Sequence, residues 1–196
     1  MPKVVEQSMP RKKRVWYPGA KYHIVTRGVR QSLLFKGEED YRACLSIINQ
    51  VRQEYPFKIS SYCLMPNHIH LQLITIEIEI WKIMQKLKHW YARYFNNKYN
   101  FTGHLYQGRY HAELIERDRY NLHVSKYIHL NPVKAGMAAR AEDYPWSSYQ
   151  VYLGQRPSRM VAPEDILAYF SPHSIQAYQK YVESPEPPDF SPEIEL

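Results

Sequence analysis

Residues 62–74 read Tyr-Cys-Leu-Met-Pro-Asn-His-Ile-His-Leu-Gln-Leu-Ile. Two runs rich in β-formers meet at Met65-Pro66-Asn67. That pattern predicts a strand over 58–64, a tight turn at the Pro-Asn pair, and a second strand over 68–74. The two strands make an antiparallel hairpin. Side chains alternate faces along a strand, so His68 and His70 share one face while Ile69, Leu71 and Leu73 share the other. Two imidazoles about 7 Å apart on one face can close on a single divalent ion. Two histidines on a strand are more often a solvated or hydrogen-bonded pair than a metal site. A third ligand and a reactive group elsewhere in the chain would decide between these.

Outward from the hairpin, residues 21–27 alternate and are β-branched, which predicts another strand, with Gly28 as the turn after it. Residues 38–55 predict a helix. Glu38, Glu39 and Asp40 fill its first turn, where the dipole favours acids, and Tyr41, Cys44, Leu45, Ile48 and Val51 form its apolar stripe. Pro56 ends it. Residues 81–98 predict a second helix with Met84, Leu87, Tyr91, Tyr94 and Phe95 inward. Its Lys82, Lys86, His89 and Arg93 are spaced 4, 3 and 4 and make one cationic stripe, either a solvated face or a track for phosphates. A loop over 100–108 leads to a strand over 109–115. A third helix is expected over 119–130, capped by Asp118 and ended at Asn131 by Pro132. Tyr127 lies near its C-terminal end, with Asn131 four residues on.

The order strand, helix, strand, strand, helix, strand, helix predicts an α+β fold. A ferredoxin-like antiparallel sheet should carry helices packed on one face. Residues 144–149, Tyr-Pro-Trp-Ser-Ser-Tyr, read as an aromatic turn against the body. Past Gly154 the pattern changes to two short helices, 163–170 and 172–182, which either brace the body or bind a partner. Four segments follow: a flexible basic arm over 1–15, a main domain over 16–154, a helical extension over 155–183, and a disordered acidic, proline-rich tail over 184–196.

Charge is unevenly placed. Residues 1–16 hold five bases and one acid, residues 183–196 hold five acids and no base, and the body between them carries 21 bases against 13 acids. With 18 tyrosines and four tryptophans, that body is both cationic and aromatic. Phosphate neutralisation and base stacking need these two classes together, which points to nucleic acid as partner. The 44% apolar content excludes a disordered chain. No apolar run reaches the roughly 20 residues of a membrane span, and the polar N-terminus lacks a secretory apolar region. Two cysteines, Cys44 and Cys63, make no zinc motif and read as reduced thiols of a cytoplasmic protein.

Several blocks together resemble a known family. Met65-Pro66-Asn67-His68-Ile69-His70-Leu71 resembles the His-hydrophobe-His motif of single-tyrosine HUH transposases. Tyr127-Ile128-His129-Leu130-Asn131-Pro132-Val133-Lys134-Ala135-Gly136 is similar to the catalytic tyrosine helix of the branch called REP-associated tyrosine transposases. Gly108-Arg109-Tyr110 and Trp146-Ser147-Ser148-Tyr149 match further blocks, so the resemblance spans residues 16–154 as an HUH-type catalytic domain. It implies that His68 and His70 hold Mg²⁺ or Mn²⁺, with Asn131 completing the site where the wider superfamily usually carries Gln. It implies that the Tyr127 hydroxyl attacks a phosphodiester of single-stranded, hairpin-forming DNA, giving a 5′-phosphotyrosine and a free 3′-OH. Relatives act as monomers or homodimers.

The chemistry is consistent with those roles. A phenol of pKa about 10 is a poor nucleophile at pH 7, so its target must be polarised. A covalent intermediate keeps the phosphodiester energy for rejoining. The i, i+4 spacing puts Tyr127 and Asn131 on one helix face. His129, two residues from Tyr127, should face away. His89, His104, His111 and His123 read as surface or phosphate-contacting groups. Arg11, Lys12, Lys13, Arg14, Lys82, Lys86, Arg93, Arg109 and Lys134 are the candidate DNA contacts. Two rival readings remain: a non-catalytic binder of structured single-stranded DNA or RNA, and a metal phosphoesterase using activated water.

Overall fold

The 62–74 stretch forms the hairpin it predicts. In the computed structural model, which describes residues 15–170 and 174–185, β2 (Phe57–Met65) pairs antiparallel with β3 (His68–Thr75), setting Cys63 opposite His70 and Met65 opposite His68. β1 (Lys21–Arg27) lies on the other side of β3, with Arg27 opposite His68, Val25 opposite His70 and His23 opposite Gln72. β4 (His111–Leu114) completes the sheet beside β1, in the order β2-β3-β1-β4. α1 (Glu38–Glu54) links β1 to β2, and α2 (Ile80–Tyr99) links β3 to β4. This is the ferredoxin-like arrangement expected. Gly28 closes β1 tightly: its N–H donates to Asn67 O at 2.8 Å, and a Cβ there would stand 2.0 Å from Ser32 O.

One sheet face is apolar. Tyr22, Ile24, Leu64, Ile69, Leu71 and Leu73 bury against Cys44, Ile48 and Val51 of α1 and Met84, Leu87 and Tyr91 of α2. Each such side chain contributes about 1.5–3 kcal/mol of burial free energy, and together they hold the sheet rigid beneath its other face.

The expectation that helices occupy one face is corrected. α3 (Asp118–Lys134) crosses the opposite face, packing Val124 and Ile128 onto Cys63 and Met65. A face carrying His68, His70 and Gln72 reads as solvated from alternation alone. It accepts a helix because its polar groups find partners. Gln72 Nε2 donates to Asn121 O at 2.9 Å and to Asn121 Oδ1 at 2.6 Å, and Gln72 Oε1 accepts from Ser61 Oγ at 2.7 Å.

α3 also starts and ends differently from the expectation. Arg117 takes the N-cap position rather than Asp118, and the helix runs through Pro132 to Lys134. Proline in the last turn forfeits one bond, the one to the Ile128 carbonyl, and the remaining turns outweigh it. The stop comes at Gly136, whose φ of +66° suits glycine; Met137 N–H donates to Pro132 O at 2.8 Å. Asn131 therefore sits inside regular helix, in fixed rotation to Tyr127.

After α3 the chain returns to the edge of β2. Leu64 N–H donates to Trp146 O at 2.9 Å, Ser148 N–H to Tyr62 O at 3.0 Å, and Ala162 N–H to Ile59 O at 2.8 Å. The Trp146 ring stacks on Tyr41 at 4.5 Å, the aromatic packing expected of that turn. Three short helices follow: α4 (Tyr149–Tyr152), α5 (Glu164–Leu167) and α6 (Ile175–Glu183). The basic arm, with Arg11, Lys12, Lys13 and Arg14, and the tail past residue 185 lie outside the described residues. Among the described residues no helix is long and apolar enough to cross a membrane. Cys44 and Cys63 are free and fully buried, and burial pushes both thiols up.

Candidate active site

β3 and the last two turns of α3 bring the sequence-derived candidates together. The His68 and His70 rings meet edge to face with centroids 4.8 Å apart. The Tyr127 ring stands edge-on to His70 at 5.6 Å. Asn131, one turn on and 7% exposed, approaches His68 closely enough to favour its protonated form without closing a well-formed bond on Nε2. Lys134 sits with Nζ 5.2 Å from the Tyr127 ring centroid.

Hydrogen bonding sets which imidazole nitrogens remain available. His68 Nδ1–H donates to Asn67 Oδ1 at 2.7 Å, so Nε2 keeps its lone pair. His70 Nδ1 lies 3.3 Å from His23 Nε2, and a proton on His70 Nδ1 leaves Nε2 bare there as well. The Nε2 atoms of His68 and His70 are buried and have no hydrogen-bond partner among the described residues. Buried polar atoms are nearly always paired, and His23 Nδ1 in the same cluster is likewise buried without a partner among the described residues, so this face gathers three orphaned imidazole nitrogens, two of them the Nε2 atoms on β3, of a kind that can donate to a cation. Among the described residues no group of three or more His, Cys, Asp or Glu side chains is arranged to hold a metal, and the Asn131 amide is the polar side chain of α3 beside His68.

Two residues of this cluster escaped the sequence reading. His23 stacks on His70 at 5.5 Å and meets Tyr127 at 5.8 Å, a third imidazole behind the pair. Arg27, opposite His68, places its charge near enough to depress both histidines. Alternation in 21–27 does put His23 and Arg27 on one face. Only the β1–β3 register shows that it is the face of His68 and His70.

Other candidates are placed elsewhere. The α2 stripe lies on the far side of the sheet, where Lys82 pairs with Glu79 at 3.1 Å and Lys86 pairs with Glu54. Arg93 and Arg109 are exposed. His129 faces away from Tyr127, fully buried between Tyr178 and Ser148. His123, read as a surface group, is instead buried beside Arg119 and Tyr181, because α6 covers that side of α3.

Burial holds these imidazoles neutral. It lowers His23 to about 3, His68 to about 4 and His129 to about 3, and drives His70 well below the ordinary value. In the unfolded chain each titrates near 6.5. Between that value and the folded values the unfolded chain binds more protons, so stability is intact above pH 6.5 and falls on acidification. Each histidine contributes a slope of up to about 1.4 kcal/mol per pH unit in that window. Urea midpoints should therefore drop between pH 7 and pH 5. A flat midpoint would contradict burial of neutral imidazoles.

Comparison with known proteins bears on the family and the fold. A REP-associated tyrosine transposase of Haemophilus influenzae is 32% identical over 118 residues, covering 53% of this chain and 65% of that protein. One of Escherichia coli is 25% identical over 114 residues, covering 56% of this chain and 64% of its own length. The matches thus span slightly less than two thirds of these relatives. A solved REP-associated tyrosine transposase bound to a REP hairpin shares the fold, with a TM-score of 0.65 and 21% identity over 76% of this chain and 89% of that one. The sequence pattern of the family described as "Transposase IS200 like" matches residues 17–131, from before β1 through Tyr127 to Asn131, and the chain belongs to that family.

Proposed function

We propose that this protein cuts and rejoins single-stranded, hairpin-forming DNA through a 5′-phosphotyrosine on Tyr127. The observation that carries the reading is the placement of Tyr127 5.6 Å from His70, on the helix face it shares with Asn131. Tyr127 Oη gives up its proton and bonds to phosphorus, the bond from phosphorus to the 3′-oxygen breaks, and that oxygen leaves as a free 3′-OH after taking a proton. Attack of a 3′-OH on the adduct reverses the step, so strands are rejoined without ATP.

His68 Nε2, His70 Nε2 and the Asn131 amide would hold Mg²⁺ or Mn²⁺. Bound there, the ion would act as a Lewis acid on the non-bridging phosphate oxygens. Two imidazoles and an amide bind hard ions weakly, which suits an ion completed by substrate oxygens. Arg27 and Lys134 border the same face and would offset phosphate charge. The hairpin in the structural relative and the cationic, aromatic body support folded single-stranded DNA as substrate.

The test uses single-stranded hairpin DNA from the flanks of the gene, labelled at either end and incubated with Mn²⁺. On a denaturing protein gel, label should follow the protein only from the 3′-labelled strand. A band shift without an adduct would make the protein a binder. Cleavage without an adduct would assign the attack to water.

A further inference from the structure

α3 is held on two sides. Helix geometry turns about 100° per residue, so Ser125 and His129 project roughly opposite Tyr127. Both meet α6. Tyr178 Oη, fully buried, lies 2.6 Å from Ser125 Oγ and 2.7 Å from His129 Nδ1. His129 Nε2 continues to Ser148 Oγ at 2.7 Å, which accepts from Tyr62 N–H of β2 at 2.9 Å. One polar chain therefore runs from α6 through the back of α3 into the sheet. Beside it, Lys126 is 1% exposed and donates to Tyr181 O at 2.8 Å, Ser184 O at 2.6 Å and Ser184 Oγ at 3.1 Å. Two of these acceptors are carbonyls at the C-terminal end of α6, where a helix is short of donors and favours a cation.

We infer that α6 is a clasp that fixes the rotation and height of the nucleophile helix, with Lys126 and Tyr178 as positioning residues for Tyr127. This rests on Tyr127 being the nucleophile. A buried ammonium has no cheap alternative to its three acceptors, and a buried Tyr–Ser–His chain none to its bonds. A slide of α3 by one residue, about 1.5 Å along and 100° around its axis, would break all of them. Misplacement of a reacting group by 1 Å can cost roughly a hundredfold in rate. Tyr178, Tyr181 and Ser184 lie outside residues 17–131, the span that the family pattern matches.

The experiment compares full-length wild type, Tyr178→Phe and Lys126→Met. Tyr178→Phe removes one oxygen and keeps the ring stacked on Tyr152. Three readouts are taken with the flanking-hairpin probe: affinity, single-turnover adduct rate at saturating DNA, and amide hydrogen exchange without DNA. Adduct formation should slow roughly tenfold to a hundredfold. Affinity should hold within about twofold. Exchange should quicken by about tenfold in residues 125–134 and 175–183, with β1 to β3 unchanged. Full rate with unchanged exchange overturns the clasp, as does protection lost uniformly across sheet and helices. Should Tyr127→Phe still form adduct, the nucleophile assignment falls and the positioning role falls with it. Loss of adduct in Tyr127→Phe alongside full rate in both clasp variants overturns the clasp alone.

Discussion

Tyr127→Phe is expected to abolish the covalent adduct and strand cleavage, by at least about ten-thousandfold, as loss of a sole nucleophile does in other covalent enzymes. The substitution deletes one oxygen. The ring still fits edge-on to His70 and His23, at 5.6 and 5.8 Å in the parent, so the sheet face and its cations are kept. Hairpin affinity should change by no more than about fivefold, the value of a single hydrogen bond. The denaturing-gel assay and a band shift measure the two quantities on one sample. Tyr120 is the informative control: it lies two turns earlier on the same helix face, about 10 Å along the axis, and packs into the Cys63–Met65 cluster. Tyr120→Phe should cut at close to the parental rate. Undiminished cleavage by Tyr127→Phe would move the nucleophile to another tyrosine.

The second large effect concerns the histidine pair. His70→Gln removes one of the two orphaned Nε2 atoms on β3 and should slow cleavage by roughly a thousandfold, the scale of Lewis-acid help on a phosphoryl oxygen. EDTA should do the same to the wild type, and added Mn²⁺ should restore it there but only in part in His70→Gln. Hairpin binding should persist under both treatments, because phosphate and base contacts supply it. His23→Gln should fall between, losing roughly tenfold to a hundredfold, since His23 supports His70 from behind. An adduct that forms at full rate in EDTA would remove the ion from the mechanism.

Local periodicity made most of the architecture legible. β1, α1, the hairpin and α2 appear within a residue or two of where alternation and helical spacing set them. The misreadings share a cause. Which element covers the polar sheet face depends on Gln72 meeting Asn121, 49 positions away, and a strand pattern does not distinguish water from a distant amide. The third helix passes Pro132 because one lost bond in a last turn is outweighed by its packing on Cys63 and Met65. The α2 stripe has the spacing of a phosphate track, yet Glu54 pairs with Lys86 from 32 positions away. Within the site, spacing alone put His68 with His70 and Tyr127 with Asn131. Bringing the two pairs together needed the family resemblance, and finding His23 and Arg27 needed the β1–β3 register.

The two rims of the sheet are unequal. β2 is an outermost strand of nine residues, and an open strand of that length is a template for pairing with a second copy. Here its outward groups are occupied by the chain's own 146–148 and 161–162 segments, which bond to Leu64, Tyr62 and Ile59. The other rim, β4, has four residues. Sheet continuation between copies, the usual route to domain swapping and cross-β aggregation, is thus blocked along the long rim and offered only a short one. The same backbone bonds that seat the Trp146 turn therefore also act as a guard against self-templating.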